Sequence, residues 1–102
     1  MNQKCNLIDN QFIEVINLNG TKTKYEKRNA NLKWLQHKVG GYIQVVNCKR
    51  NGKLCEMIIN EEGKVLEMPM NIAATMLYRE AHTGSGDWIA GVAVVLVGFN
   101  LD

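Results

Sequence analysis

The stretch Tyr42-Ile43-Gln44-Val45-Val46-Asn47-Cys48-Lys49-Arg50-Asn51-Gly52-Lys53-Leu54-Cys55-Glu56-Met57-Ile58-Ile59 decides how the rest of the chain is read. Two runs rich in apolar and β-branched residues flank Arg50-Asn51-Gly52-Lys53, a composition that favours a tight turn. The pattern predicts a strand over Tyr42–Cys48 returning antiparallel over Leu54–Ile59. The first run is nearly continuous in apolar character, so it is expected near the centre of a sheet. Cys48 and Cys55 would then face each other across the hairpin as small strand residues.

Upstream of the hairpin, Gly40-Gly41 ends a helix that Asn29 or Asn31 caps, with Leu32, Leu35 and Val39 as its apolar stripe and Trp34 off the stripe's centre. Before it come a strand at Phe12–Ile16, the turn signal Asn19-Gly20, and Thr21–Lys27, which could form the short, polar second strand of a hairpin, its lysines suiting an exposed edge. Downstream, Asn60–Lys64 reads as a turn and Val65–Glu67 as a short strand that Pro69 ends. Asn71 caps a second helix, Ile72–Ala81. A loop, His82–Asp87, leads into a last strand, Trp88–Val97, apolar on both faces and so interior. The expected fold is α+β: a mixed, mostly antiparallel sheet of about five strands, two helices on one face, order β-α-β-β-β-α-β. Residues 1–10 read as an irregular lead-in and 11–102 as a single domain.

The composition excludes several classes of function. The chain has 102 residues, enough for one core, with 46% hydrophobic and 22% charged residues. A formal charge of +2 is neither the basic footprint of a dedicated DNA binder nor the acidity of a DNA mimic. Three cysteines without a cluster argue against a disulfide framework, and His37 and His82 stand at no ligand spacing to any of them, so no metal or other cofactor is expected. The most apolar stretch, Trp88–Phe99, falls short of the roughly 20 residues that span a bilayer. With no signal-like N-terminal run, a soluble cytoplasmic protein is expected, and a core this small makes a homo-oligomer the natural expectation.

Three segments together resemble a known family. They are Leu35-Gln36-His37-Lys38-Val39-Gly40-Gly41-Tyr42-Ile43-Gln44-Val45-Val46; Ile58–Lys64 with Pro69, Asn71, Ala74, Thr75, Leu77, Tyr78 and Arg79; and a closing Ile89-Ala90-Gly91. In collinear order over Phe12–Leu96, the chain resembles small proteins of bacteriophages and mobile elements catalogued only as a domain of unknown function. The resemblance implies a phage or mobile-element origin and an intracellular site of action, and no reaction. Such sequences often carry a polar residue after the glycine, where this chain has Val92.

The residues themselves offer several candidate sites. Asn71, Thr75, Tyr78 and Arg79 recur at spacings of three and four on one helix. Arg79 offers a planar fork for phosphate or carboxylate, Tyr78 a stacking ring, and Asn71 and Thr75 hydrogen bonds. The plainer reading is a cap on a surface helix. Gly41 and Tyr42 could let a ligand approach the backbone, although helix termination explains the glycines and no phosphate-loop order is present. Glu61 and Glu62 are adjacent on a turn and point apart, unlike convergent catalytic carboxylates, and Gly63 is expected to supply a positive φ there. His82, Ser85 and Asp87 imitate a triad, but sit on one flexible loop, better read as a mobile loop that could also serve as a lid over Arg79. Lys22, Lys24, Lys27, Arg28 and Lys33, interleaved with Tyr25 and Trp34, form a basic segment that suits a solvated edge and only weakly a nucleic acid.

With no nucleophile or acid–base pair, the sequence favours a non-enzymatic binding protein over an enzyme. The concrete expectation is an anti-defence protein that captures a host factor, either a nucleotide-like small molecule or a host protein such as a nuclease or immune complex docked near a sheet edge, Trp34 or Trp88.

Overall fold

In the computed structural model, which describes residues 11–101, the decisive stretch is one long hairpin. The elements run β1 (Phe12–Ile16), β2 (Lys22–Glu26), a 3₁₀ turn (Lys27–Asn29), α1 (Leu32–Val39), β3 (Ile43–Arg50), β4 (Lys53–Asn60), α2 (Ile72–Ala81) and β5 (Ala93–Val97). The turn between β3 and β4 is two residues long, Asn51 and Gly52, both left-handed at φ 54° and 79°. That geometry matches the twist of the flanking strands and explains why Asn-Gly stands there. The lead-in, residues 1–10, lies outside the described residues.

The five strands form one sheet in the order β2-β1-β5-β4-β3, with every pairing antiparallel. The protein is therefore α+β, and the sheet carries no parallel pair. β5 occupies the centre, and Ala93, Val94, Val95 and Leu96 are all buried, as an apolar run without alternation requires.

Three expectations are corrected. The strand beginning at Tyr42 is an edge strand and not a central one. Gln44 and Asn47 interrupt its apolar run, and both are exposed. The segment Val65–Glu67 is no strand. It coils locally, with Leu66 N–H donating to Glu62 O, Glu67 N–H to Lys64 O and Met68 N–H to Gly63 O, before a single bridge joins Met70 to Ala90. The fifth strand is β2, Lys22–Glu26, within the polar run Thr21–Lys27 read as the second strand of a hairpin. Finally, the helices lie on opposite faces of the sheet.

That last point follows from side-chain alternation, because successive strand residues face opposite ways. Ile13, Val15, Ile58, Val94 and Leu96 pack with Leu35 and Val39 of α1. Ile16, Met57, Ile59, Ala93 and Val95 pack with Ala74 of α2. Consecutive residues are buried in β1, β4 and β5, so both faces of the sheet are apolar and each needs its own cover.

Both helices start on an asparagine cap. Asn31 Oδ1 accepts from Trp34 N–H at 2.9 Å, and Asn71 Oδ1 accepts from Ala74 N–H at 3.0 Å. Gly40, left-handed at φ 83°, closes α1 by donating its N–H to Gln36 O. Among the described residues, no helix is long and apolar enough to cross a membrane.

Gly63 is glycine for a reason other than the one expected. Its φ is not left-handed. A Cβ there would stand 2.9 Å from the Ala90 carbonyl oxygen, a backbone atom that cannot swing aside. Gly63→Ala should cost about 1–3 kcal/mol by overpacking. Urea denaturation checks this, and a midpoint equal to that of the parent chain would refute it.

Candidate functional site

The helix face read from the sequence divides in two. Asn71 and Thr75 are buried inside the fold. Besides capping α2, Asn71 donates from Nδ2 to Ile16 O and to Gly91 O, each at 3.0 Å. Thr75 Oγ1 accepts from Ile89 N–H at 2.9 Å. These two side chains stitch α2 to the irregular segment 88–92, whose backbone pairs with residues 69–71 only through the bridge at Ala90, and they present nothing to solvent.

Tyr78 and Arg79, one turn further along, face outward. Arg79 is a tether: its Nε donates to Asp87 O at 2.9 Å and its Nη2 to Gly86 O at 3.2 Å. The 82–87 loop is thereby pinned to α2. At its start His82 stacks on Tyr78, ring centroids 4.3 Å apart, and its Nε2 meets Asn47 O of β3 at 3.1 Å. His82, Ser85 and Asp87 do not converge as a triad, because His82 bonds to β3 while Ser85 accepts from the Asp87 backbone N–H.

What this pinned loop builds is a cleft of about 240 Å³ between α2, β3 and the 60–65 turn. Gln44 and Val46 of β3 form one wall, Tyr78 another, and Lys64, Asp87 and Trp88 the third. Lys64 forms an ion pair with Asp87 and lies over the Trp88 ring, 4.3 Å from its centroid. The site thus combines two aromatic rings, one ammonium, the carboxylates of Glu61 and Asp87, and the amides of Gln44 and Asn60. The sequence reading placed Tyr78 here, and the loop beside it, but missed Gln44 and Lys64. Only the topology, with β3 at the edge beneath α2, brings them to Tyr78.

Asp87 titrates below its ordinary value of 3.8, chiefly because Lys64 donates to its carboxylate and secondarily because the Trp88 N–H does. A depressed carboxylate contributes order above its ordinary pKa and loses it as pH falls through the lowered value. The pair is half exposed and screened, so the effect is local to the loop. In a Trp34→Phe background, Trp88 fluorescence should change on acidification with a midpoint below 3.8. A midpoint above that value would contradict the ion pair.

Gly41 and Tyr42 belong to a separate shallow cleft of about 270 Å³ with Gln36 and Leu66. Its floor is Asn60, a buried side chain that donates to Val39 O at 3.1 Å and accepts from Glu62 N–H at 2.7 Å. Gly41 is needed for that approach, since a Cβ would lie 2.9 Å from Asn60 Nδ2. Gly41 therefore serves the C-terminus of α1, and only Tyr42 is open to solvent.

Two lysines of the basic segment, and Lys38 of α1 beside it, lie over aromatic rings. Lys24 lies over Phe12, Lys27 over Phe99, and Lys38 over both Tyr25 and Trp34, which meet edge-on at 5.2 Å. Cys48 and Cys55 are free thiols directly opposite each other in the hairpin. Burial, then the neighbouring Cys55, pushes the Cys48 thiol up to about 12, so it stays protonated at neutral pH. Among the described residues no three His, Cys, Asp or Glu side chains cluster as metal ligands, and every buried side-chain polar atom has a partner.

Fold and cleft together define a small antiparallel α+β domain with a ring-lined, half-polar recess beneath a tethered loop. The chain belongs to the family described as domain of unknown function DUF3846, whose model matches residues 13–100. No curated protein matches the chain, and no solved structure does.

Proposed function

We propose that the chain is a non-enzymatic binding protein and that its ligand is a small, ring-bearing anion of the nucleotide class, held in the Tyr78–Trp88 cleft. One observation supports this above the rest: two rings, the Lys64 ammonium and the Gln44 amide converge on a single recess, which the carboxylates of Glu61 and Asp87 also line. An aromatic base finds faces to stack on, and a phosphate can take Lys64 in exchange for Asp87. Lys64 and Asp87 neutralise each other, and no nucleophile faces them among the described residues, which favours capture over chemistry.

The wider reading rests on the resemblance to phage and mobile-element proteins: an anti-defence protein acting in the host cytoplasm, whose ligand is a host signal. Titration with cyclic and ADP-ribose-type nucleotides tests it. Binding should quench Trp88 fluorescence, and Lys64→Ala should weaken it about tenfold, as the loss of one charge-assisted contact does. A panel in which no nucleotide binds would end the proposal.

A second reading has its own observation. Ile72 and Met76, one turn apart on α2, are exposed, as is Val65 beside the cleft. Such an apolar strip suits a host protein as the captured factor. Recovery of one stoichiometric host protein, lost in Met76→Glu, would favour it. Steeply salt-dependent binding to DNA or RNA would point instead to the Lys22–Lys33 segment.

A further inference from the structure

We propose that the outer edge of β3 is the seam of a two-fold dimer, pairing antiparallel with β3 of a second copy, and that this pairing completes the cleft. The completion rests on the cleft reading above; the seam does not. The register Ile43↔Asn60 through Arg50↔Lys53, closed by a two-residue turn, fixes which backbone groups β4 uses. Glu61 N–H donates to Tyr42 O at 2.8 Å, so the even-numbered residues of β3 face β4. Ile43, Val45, Asn47 and Lys49 turn their N–H and C=O groups outward. Among the described residues only the Asn47 carbonyl has a partner there, the His82 ring.

The two edges of the sheet differ in how they are defended. β2 carries exposed Lys22 and Lys24, a common guard against edge pairing. β3 carries none over Ile43–Asn47, and Val45 is 42% exposed on it. The uncharged stretch Ile43–Asn47, ahead of Lys49 and Arg50, is a template for another strand.

Charge complementarity names a second copy as that strand's source. Lys49 and Lys53 stand at the hairpin end of β3, and Glu61 and Glu62 at the other end, beside Tyr42. None of the four is in an ion pair among the described residues. A two-fold axis near Val45 reverses the strand, so the basic end of each copy meets the acidic end of the other. Lys49 lies on the α1 face by strand alternation, and Glu62, in the turn after β4, lines the cleft at the C-terminus of α1. On the α2 face, Gln44 and Val46 line the cleft and lie at the seam. The two clefts then abut across the axis, forming a trough for a ligand larger than one recess of about 240 Å³ holds.

Sedimentation equilibrium of the full chain tests the seam. The parent chain should be a dimer. Val45→Pro should be a monomer with an unchanged circular dichroism spectrum, because the N–H it removes points away from β4. Lys49→Glu and Glu62→Lys should each weaken the dimer about tenfold, and the two together should restore it. A monomeric parent chain would overturn the proposal. So would a dimer that Val45→Pro and both charge variants leave intact. A dimer that binds no nucleotide supports the seam and overturns the cleft reading instead.

Discussion

Asn71→Ala should destabilise the protein by about 3–5 kcal/mol, a loss in the range reserved for broken buried networks. The side chain serves three backbone groups at once. Its Oδ1 caps α2 at Ala74 N–H, and its Nδ2 satisfies the carbonyls of Ile16 and Gly91. Losing the cap costs about 1 kcal/mol. Orphaning two carbonyls in a dry setting adds about 1–3 kcal/mol each if neither finds water. A domain this size holds on the order of 5–15 kcal/mol in all, so the variant should sit near the edge of folding.

Asn71→Asp separates the cap from the two donors. It keeps the acceptor for Ala74 but turns a buried anion toward two carbonyl oxygens. At neutral pH it should be at least as damaging as alanine. Burial and the facing carbonyls raise that carboxyl's pKa in the folded state, so the folded form holds the proton more tightly. Stability should therefore rise as pH falls through the folded value. Urea midpoints at neutral and mildly acidic pH measure both effects. An alanine variant within about 0.5 kcal/mol of the parent chain, the range of ordinary surface changes, would show that the network matters little.

The same residue shows where sequence reading succeeds and where it stops. Asn71 was legible as a cap, because a short acceptor before an apolar helix has one local use. Spacing also showed that Asn71, Thr75, Tyr78 and Arg79 neighbour one another. It did not show which way the shared face turns, and the usual rule of polar outside fails here. α2 buries Asn71 and Thr75 and leaves Ile72 and Met76 exposed. The reason lies in a distant segment. The chain from Ile89 to Gly91 makes a single bridge to residues 69–71, which leaves the Ile89 N–H and the Gly91 carbonyl to side-chain partners.

Strand positions follow a similar division. The centre of the sheet was legible at Val94-Val95-Leu96, where no polar residue interrupts. Tyr42–Cys48 looked alike at a coarser glance, yet Gln44 and Asn47 mark it as an edge. Turn chemistry located the hairpin because Asn51-Gly52 adopts two left-handed conformations in succession. Helix sidedness was not legible, since a strand that is apolar on both faces says only that two covers exist. Nor was Lys64 legible as part of a cleft, because its neighbours Tyr78 and Trp88 reach it only through the tethered loop.

Leu35→Ala should be the second severe variant, at about 3–5 kcal/mol, and Leu32→Ala should fall within about 0.5 kcal/mol of the parent chain. Both leucines belong to the apolar stripe read from the sequence. In the fold Leu35 is fully buried, while Leu32, in the first turn of α1, is 57% exposed. α1 has only eight residues, too few to hold a helix in water without packing. Its hold on the sheet is Leu35 and Val39, which cover Ile13, Val15, Ile58, Val94 and Leu96. Truncating Leu35 leaves a cavity beneath a helix with one remaining deep anchor, so the cost extends beyond the missing methyl groups. If the helix stays docked, the urea midpoint falls while the m-value holds. If it lifts away, the apolar face of β5 opens to solvent, the m-value drops and a hydrophobic dye binds before the main transition. Either pattern is consistent with Leu35 as the anchor of this face. Equal, small losses from both leucine variants would mean that α1 is not what closes it.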